Sequence, residues 1–418
     1  MLRLEQMVNF VRDGYLFASR TRSRAGVAPD SHEPVALRML GSRAVLVRGE
    51  EGVRAFYDTD RMQRDGAMPA FIRGPLFGPG AVHTLDGEEH AVRKNALADM
   101  AYDDERVEKF KTLVAEELET ILAGWRGGSG TVHEDTALAY GRAALRWAGL
   151  PISTKEMDRQ IRRMHRLLDN FGQPSRNVIG WIERYRLDKW AAQLITDVRS
   201  GKVQAEPDSV LSHMADLRGP DGELVDARTA GVELQNLTRP TVAVARFAAF
   251  AATALVDHPE WVERIHTAAG DSLIDVPEAT AFAQEVRRTY PFVPMLPAKA
   301  KEDTEVSGCP VKKGQRVLLD FVGTLTSPKE WEDAGSFNPE RFLEVDDAED
   351  LVAFIPQGGG DVRAGHRCPG EKIAVTALSA AVAALCRPGV HISGETEDRT
   401  FPWTQMLTRP STGVRVSA

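Results

Sequence analysis

Between about residue 103 and residue 290 the apolar positions recur every three or four residues, the period of helices that bury one face. The segment "ERVEKFKTLVAEELETILAGW" (105–125) shows this most clearly, and Asp103 or Asp104 ahead of it supplies a cap. The same period predicts helices near 133–149, 155–171, 176–199, 207–217, 226–257, 259–268 and 277–290. An amphipathic helix is expected over 4–22. Within 33–58, two short alternating runs around "GSR" read as a hairpin followed by a short helix. After Pro291 the pattern changes. "RVLLDFVGTLTS" (316–327) and "VHISGE" (390–395) read as strands, and "PGEKIAVTALSAAVAALC" (369–386) as a last helix. The expectation is one mainly α domain over 1–418, helical in 85–290 and 369–386, with a minor β portion near 33–70, 295–330 and 388–418. Glycine patches at 125–130 and 357–360 are too short for domain linkers.

Composition narrows the class. Hydrophobic residues at 43% and charged residues at 27% suffice for a large core. A formal net charge of −8 argues against nucleic acid, which needs a basic footprint. The one basic run, "SRTRSRAG" (19–26), reads as a solvated helix end. No apolar stretch is expected to reach the ~18–20 residues of a membrane span. The N-terminus mixes charges with apolar residues, unlike a signal peptide. Cys309, Cys368 and Cys386, an odd number, fit a reducing compartment without a disulfide framework. The expected location is the cytoplasm.

Two places carry candidate chemistry. In "FIPQGGGDVRAGHRCPGEKIAV" (354–375), Cys368 precedes Pro369, a residue favoured at the first position of a helix. A thiol at the N-cap would meet free backbone N–H groups and be favoured as thiolate. Such a thiolate serves as nucleophile, metal ligand or axial haem ligand, and an inert buried cysteine remains open from the loop alone. His366, two residues away, is poorly placed as a general base, and no second cysteine–histidine cluster completes a zinc site. His165 and His213 lie in amphipathic helices without a metal-ligand partner at suitable spacing, and "GGGD" is no phosphate loop. The second place is "QNLTRPTVAV", where Arg239 and Pro240 interrupt an apolar helical run. Proline in a helix interior costs roughly 3 kcal/mol or more, and a guanidinium facing a core needs a negative partner. Together they mark either a helix end or a site that uses strain and charge.

Order then adds meaning to weak motifs. Glu285 and Arg288 in "AFAQEVRRTYPF" form an E-x-x-R pair, "FNPERF" follows with Arg341, and the Cys368 loop opens the last helix. This order resembles the cytochrome P450 haem-thiolate family over nearly the whole chain. The resemblance implies a helix-rich triangular single domain with a small β lobe. It makes Cys368 the proximal ligand of a haem b iron, and Glu285, Arg288 and Arg341 structural supports of the haem core. Against the common loop F-x-x-G-x-R-x-C-x-G only Cys368 and Gly370 match, since Asp361, Ala364 and His366 occupy the other places. The "GGGD…GHRCPGE" form instead resembles the bacterial fatty-acid peroxygenases.

That branch also shows an Arg-Pro pair where ordinary members carry an acid–alcohol proton relay. No carboxylic acid is near in sequence: Glu233 lies six residues before Arg239 and Asp257 eighteen after it. The implied reading has Pro240 kink the helix and open a groove, with Arg239 clamping a fatty acid carboxylate that supplies the missing acid–base group. Hydrogen peroxide is the implied oxidant, long-chain fatty acids the substrates and α- or β-hydroxy acids the products, without a redox partner. In "FIRGPLFGPGAVHTLDGEEHAVRK" (71–94) the resemblance places Phe77 in the pocket wall and His83 above the haem, titrating near neutrality. Histidine there looks like the members that decarboxylate to terminal alkenes. Arg64, His90, Lys94, His366 and Gly370 are the expected cofactor contacts, and Phe292 joins Phe77 and Arg239 at the substrate. The rivals are a monooxygenase fed by a separate ferredoxin and a haem sensor or carrier without turnover.

Overall fold

The computed structural model describes residues 5–171 and 176–418. Its β portion centres on a five-stranded sheet with Val35–Met39, Ser42–Val47, Arg316–Asp320, Met295–Ala300 and Met62–Gln63 side by side in that order. The first two strands form the expected hairpin. Its turn residues Leu40 and Gly41 both have positive φ (52° and 73°), the backbone that tight hairpin turns need. Ser42–Val47 pairs in parallel with Arg316–Asp320, Val45 opposite Val317, so distant parts of the chain share one sheet.

Several expected boundaries shift for local reasons. The run 316–327 is not one strand. It stops at Asp320, whose carboxylate accepts from the Gly323 N–H at 2.8 Å and caps a short helix, Phe321–Leu325. The N-terminal helix expected over 4–22 splits into Met7–Asp13 and Phe17–Arg24 at Gly14, while Leu4 lies outside the described residues. A Cβ at Gly14 would fall 2.6 Å from the Thr404 backbone, so the break admits the C-terminal segment. The basic run 19–26 ends that helix and is solvated as expected, with Thr21 and Arg22 the exceptions. Arg22 is buried and donates to the carbonyls of Ser31 and Glu33, while Arg20 and Arg24 close on buried Asp13 at 2.8 Å each.

The helical part is arranged around Ala227–Asp257, which packs against Val132–Trp147, Asn177–Arg199 and Glu371–Leu385. Gly231 permits a close approach to Asn177–Arg199, because a Cβ there would lie 2.8 Å from the backbone of Ala191 and Ala192. Contrary to the sequence expectation, this helix is long and apolar enough to cross a membrane by length and composition. However, 83% of its most apolar window is buried in the fold, as in the core helix of a globular protein. Near its middle, Arg246 donates to Asp169 at 2.6 Å and to the Leu407 carbonyl at 2.9 Å. His165, expected without a partner, stands with its Nε2 2.9 Å from that of buried His133, beside the same Asp169. Arg246 and Arg409 already neutralise this carboxylate, so the knot ties the C-terminal segment to the bundle and is electrostatically poor for a cation.

Candidate active site

Cys368 lies deep in the molecule yet keeps open surface, so it faces an internal cavity. The expected position at the helix N-cap is corrected. Glu371–Leu385 starts three residues later, with Gly370 at the cap and the Cys368 carbonyl accepting from the Glu371 N–H. The expected lowering of the thiol pKa is corrected too. Burial, then Glu371, pushes it up, while Lys94, the Gly370 N–H and Arg287 pull it down. Gly370 has open space where a Cβ would stand, so the backbone beside the thiol is accessible.

The long helix Ala227–Asp257 runs unbroken through Pro240. From Ala230 to Leu255 every residue is buried except Pro240, which marks an opening in the otherwise sealed helix. Arg239, itself buried, donates through Nη1 to the Leu76 carbonyl and through Nη2 to Asn236 Oδ1 at 3.0 Å. Its Nε has no partner. Burial, aided by the nearby charge of Arg184 and opposed by Asp188, lowers its pKa to about 9, so it remains cationic at neutral pH.

Leu76 lies in the last turn of a short helix, Ala70–Phe77, outside the helices expected from the hydrophobic period. Phe77 stacks on His83 with ring centroids 4.3 Å apart and planes 15° from parallel. His83 is enclosed by protein but presents open surface, and so also faces the cavity. Its expected titration near neutrality is corrected. Burial, then the charges of Lys94, Arg239 and His90, lowers its pKa to about 3, which leaves the imidazole neutral. Phe292 stacks on Phe247 at 4.6 Å, and Phe247 lies eight residues along the long helix from Arg239.

Arg64, His90, Lys94 and His366 converge below His83. His90 stacks on His366 at 4.2 Å, and Arg64 lies 4.2 Å over the Phe56 ring. Lys94 donates to the Arg367 carbonyl, next to Cys368. Burial pushes all four pKa values down, His90 to about 4, Lys94 to about 8 and Arg64 to about 10. His366 is lowered further, by burial and then by Arg64, His90 and Lys94. Asp86 opposes this basic group, and it spends its oxygens on the Arg64 and Asp65 N–H groups at 2.7–2.9 Å. Arg64 and Lys94 remain cationic at neutral pH beside two neutral imidazoles that can donate, a set that suits a partner with two carboxylates. A thiol facing one side of the cavity and bases able to take propionates at its edge fit a haem.

The supporting lock is present. Arg288 grips Glu285 through two bonds of 2.7 Å, Arg341 Nε lies 3.3 Å from the same carboxylate, and the Asn338 N–H donates to it at 2.8 Å. Arg288 also reaches the carbonyls of Leu325, Ala334 and Ser336, stitching the helix Pro277–Thr289 to the coil before the cysteine. Sequence reading missed a second lock. Glu371 is held between Arg287 and Arg367, directly after the cysteine loop. Its signal was present but unread, in the arginine beside Arg288 and the glutamate three residues past Cys368.

Residues 252–415 match the family described as Cytochrome P450. Among solved structures, cytochrome P450SP alpha in complex with (R)-ibuprophen is 31% identical at a TM-score of 0.88, covering 99% of this chain and 98% of that one. Ligand-free cytochrome P450 OleT gives 27% and 0.91, over 100% of this chain and 98% of that one. Cytochrome P450EX alpha with myristic acid gives 29% and 0.87, over 100% and 98%. Among curated proteins, the sterol 14alpha-demethylase of Mycolicibacterium vanbaalenii is 22% identical over 388 residues, 84% of this chain and 82% of that protein.

Proposed function

This chain belongs to the cytochrome P450 family, and we propose that it is a fatty-acid peroxygenase, oxidising long-chain fatty acids at Cα and Cβ with hydrogen peroxide. The observation that carries the reading is Arg239. It is a buried cation with an unpartnered Nε, beside the one opening in the long helix. The myristic acid in the P450EX alpha structure supports a fatty acid as the occupant.

Cys368 would ligate the haem b iron, and Arg64, His90, Lys94 and His366 would take its propionates. When bound, a thiolate-ligated haem supplies cleavage of the peroxide O–O bond. The chain's own residues do the rest. With Nη1 on Leu76 and Nη2 on Asn236, Arg239 is fixed in orientation while Nε–H and the remaining Nη hydrogens are left to donate to a carboxylate side-on. That carboxylate then stands where other members keep an acid, and takes a proton from peroxide. Neutral His83, held by its stack on Phe77, offers a hydrogen bond without adding charge. A clamped headgroup leaves only the first two chain carbons in reach. Hydroxylation consumes one acid and one peroxide and yields a hydroxy acid and water. Decarboxylation of the same pair yields a terminal alkene, carbon dioxide and two waters.

The test is product analysis by mass spectrometry after haem-loaded protein meets peroxide and a fatty acid series, with no reductase present. Turnover is expected. Arg239→Ala should abolish it with haem retained, and Cys368→Ala should lose the thiolate-type absorbance of the reduced carbonyl adduct. The second reading, a redox-partner-dependent monooxygenase, is favoured by the sterol 14alpha-demethylase likeness. It requires turnover only when an electron carrier is added.

A further inference from the structure

Glu233 was set aside in the sequence because six residues separate it from Arg239, yet the fold joins the two. Glu233, Asn236 and Arg239 follow one another at three-residue steps on the long helix, each step bringing side chains within reach. Asn236 Nδ2 donates to Glu233 Oε2 at 3.0 Å, and Asn236 Oδ1 accepts from Arg239 Nη2 at 3.0 Å. The other Glu233 oxygen accepts from the Val82 N–H at 2.8 Å, one residue before His83, and lies 3.7 Å from Arg93. Glu233, Asn236 and Arg239 are all buried.

We propose that Glu233 is the positioning residue of the carboxylate clamp: its carboxylate fixes the direction of Asn236, and Asn236 thereby holds Arg239 with its Nε presented to the substrate. The inference rests on the clamp described above. Its physical basis is polarity. Burial raises the Glu233 pKa while Asn236, the Val82 N–H and Arg93 pull it down; as a carboxylate it only accepts, so the Asn236 amide turns its NH2 toward Glu233 and its oxygen toward Arg239. Had Asn236 faced an isosteric amide at 233, the order would fail. Glu233→Gln keeps an oxygen for the Val82 N–H but sets a donor against Asn236 Nδ2. If Asn236 flips to relieve that clash, its own NH2 meets the guanidinium, again donor against donor. In the flipped arrangement Arg239 loses the acceptor that orients it, and in the unflipped one the donor clash leaves Asn236 without the partner that fixes its direction. The same carboxylate also anchors the backbone next to His83, so one acid registers both cavity-facing groups.

The test compares Glu233→Gln, Asn236→Ala, the double variant and Arg239→Ala in haem-loaded protein. KM for a fatty acid is measured together with the ratio of α to β products. Each of the first two variants is expected to raise KM about tenfold and to shift the product ratio. The double variant is expected to remain near tenfold rather than hundredfold, because both changes break one chain. An unchanged KM in Glu233→Gln, or additive losses in the double variant, overturns the proposal. Should Glu233→Gln not take up haem, Glu233→Asp decides, since it keeps the charge but shortens the reach; an unchanged KM there also overturns it. Arg239→Ala separates the two levels. If it still oxidises fatty acids, the clamp itself is wrong, whereas its loss beside an unaffected Glu233→Gln rejects only the role of Glu233.

Discussion

Arg239 and His83 show how burial assigns charge to neighbouring side chains. Burial lowers both, but from such different starting values that the guanidinium stays charged up to about pH 9 while the imidazole is neutral down to about pH 3. The charged form of Arg239 is the one that binds a carboxylate, and it is the form below its pKa. Fatty acid kcat/KM is therefore expected to hold through neutral pH and fall as pH rises through about 9; a profile flat to pH 10 would remove Arg239 from substrate binding. His83 would affect product choice rather than pH dependence. In His83→Gln the alkene fraction is expected to fall and the hydroxy acid fraction to rise, measured on extracted products, with no change in the acid limb near neutrality. An unchanged ratio would make His83 a wall residue stacked on Phe77.

Among the elements, the helix Pro277–Thr289 carries the largest single liability. Glu285 is fully buried and answers for Arg288 and Arg341 together, so removing it strands charge that water cannot reach. Glu285→Ala is expected to cost about 3–5 kcal/mol in denaturant unfolding and to weaken haem retention. By contrast, loss of the exposed cap in Asp103→Ala should cost about 1 kcal/mol and leave haem in place. The helix Ala70–Phe77 shows why some elements escaped prediction. Gly74 and Pro75 suppress a helical reading, but Gly74 is needed because the Trp181 ring would lie 2.2 Å from a Cβ there. Pro294 and Pro297 likewise kept Met295–Ala300 from standing out as a strand of its own within the β portion expected over 295–330.

For the molecule as a whole, charge around the cysteine side bears on how electrons arrive. A cleft of about 370 Å³ behind Arg287 and Glu371 carries Asp104, Asp275, Asp346, Asp347 and Glu349 against Lys111 and Lys372. Such a balance repels an acidic electron carrier. With an acidic ferredoxin and its reductase in place of peroxide, no product above background is expected at low salt. Efficient turnover under those conditions would favour the monooxygenase reading.

By itself the sequence determined the helical period, the hairpin, the Glu285–Arg288 pair, the place of Cys368 and the presence of Arg239 beside Pro240. Those features are local, set by spacing along one chain segment. Only the tertiary structure decided that Glu233 reaches Arg239 through Asn236, that Glu371 is held between Arg287 and Arg367, and that Arg22 alone among the arginines of the solvated basic run is buried. It also set the directions in which the His83 and Cys368 pKa values move, down for the one and up for the other. The physical reason is common to all of these: a buried polar group takes its charge and its hydrogen-bond direction from whatever the fold brings against it.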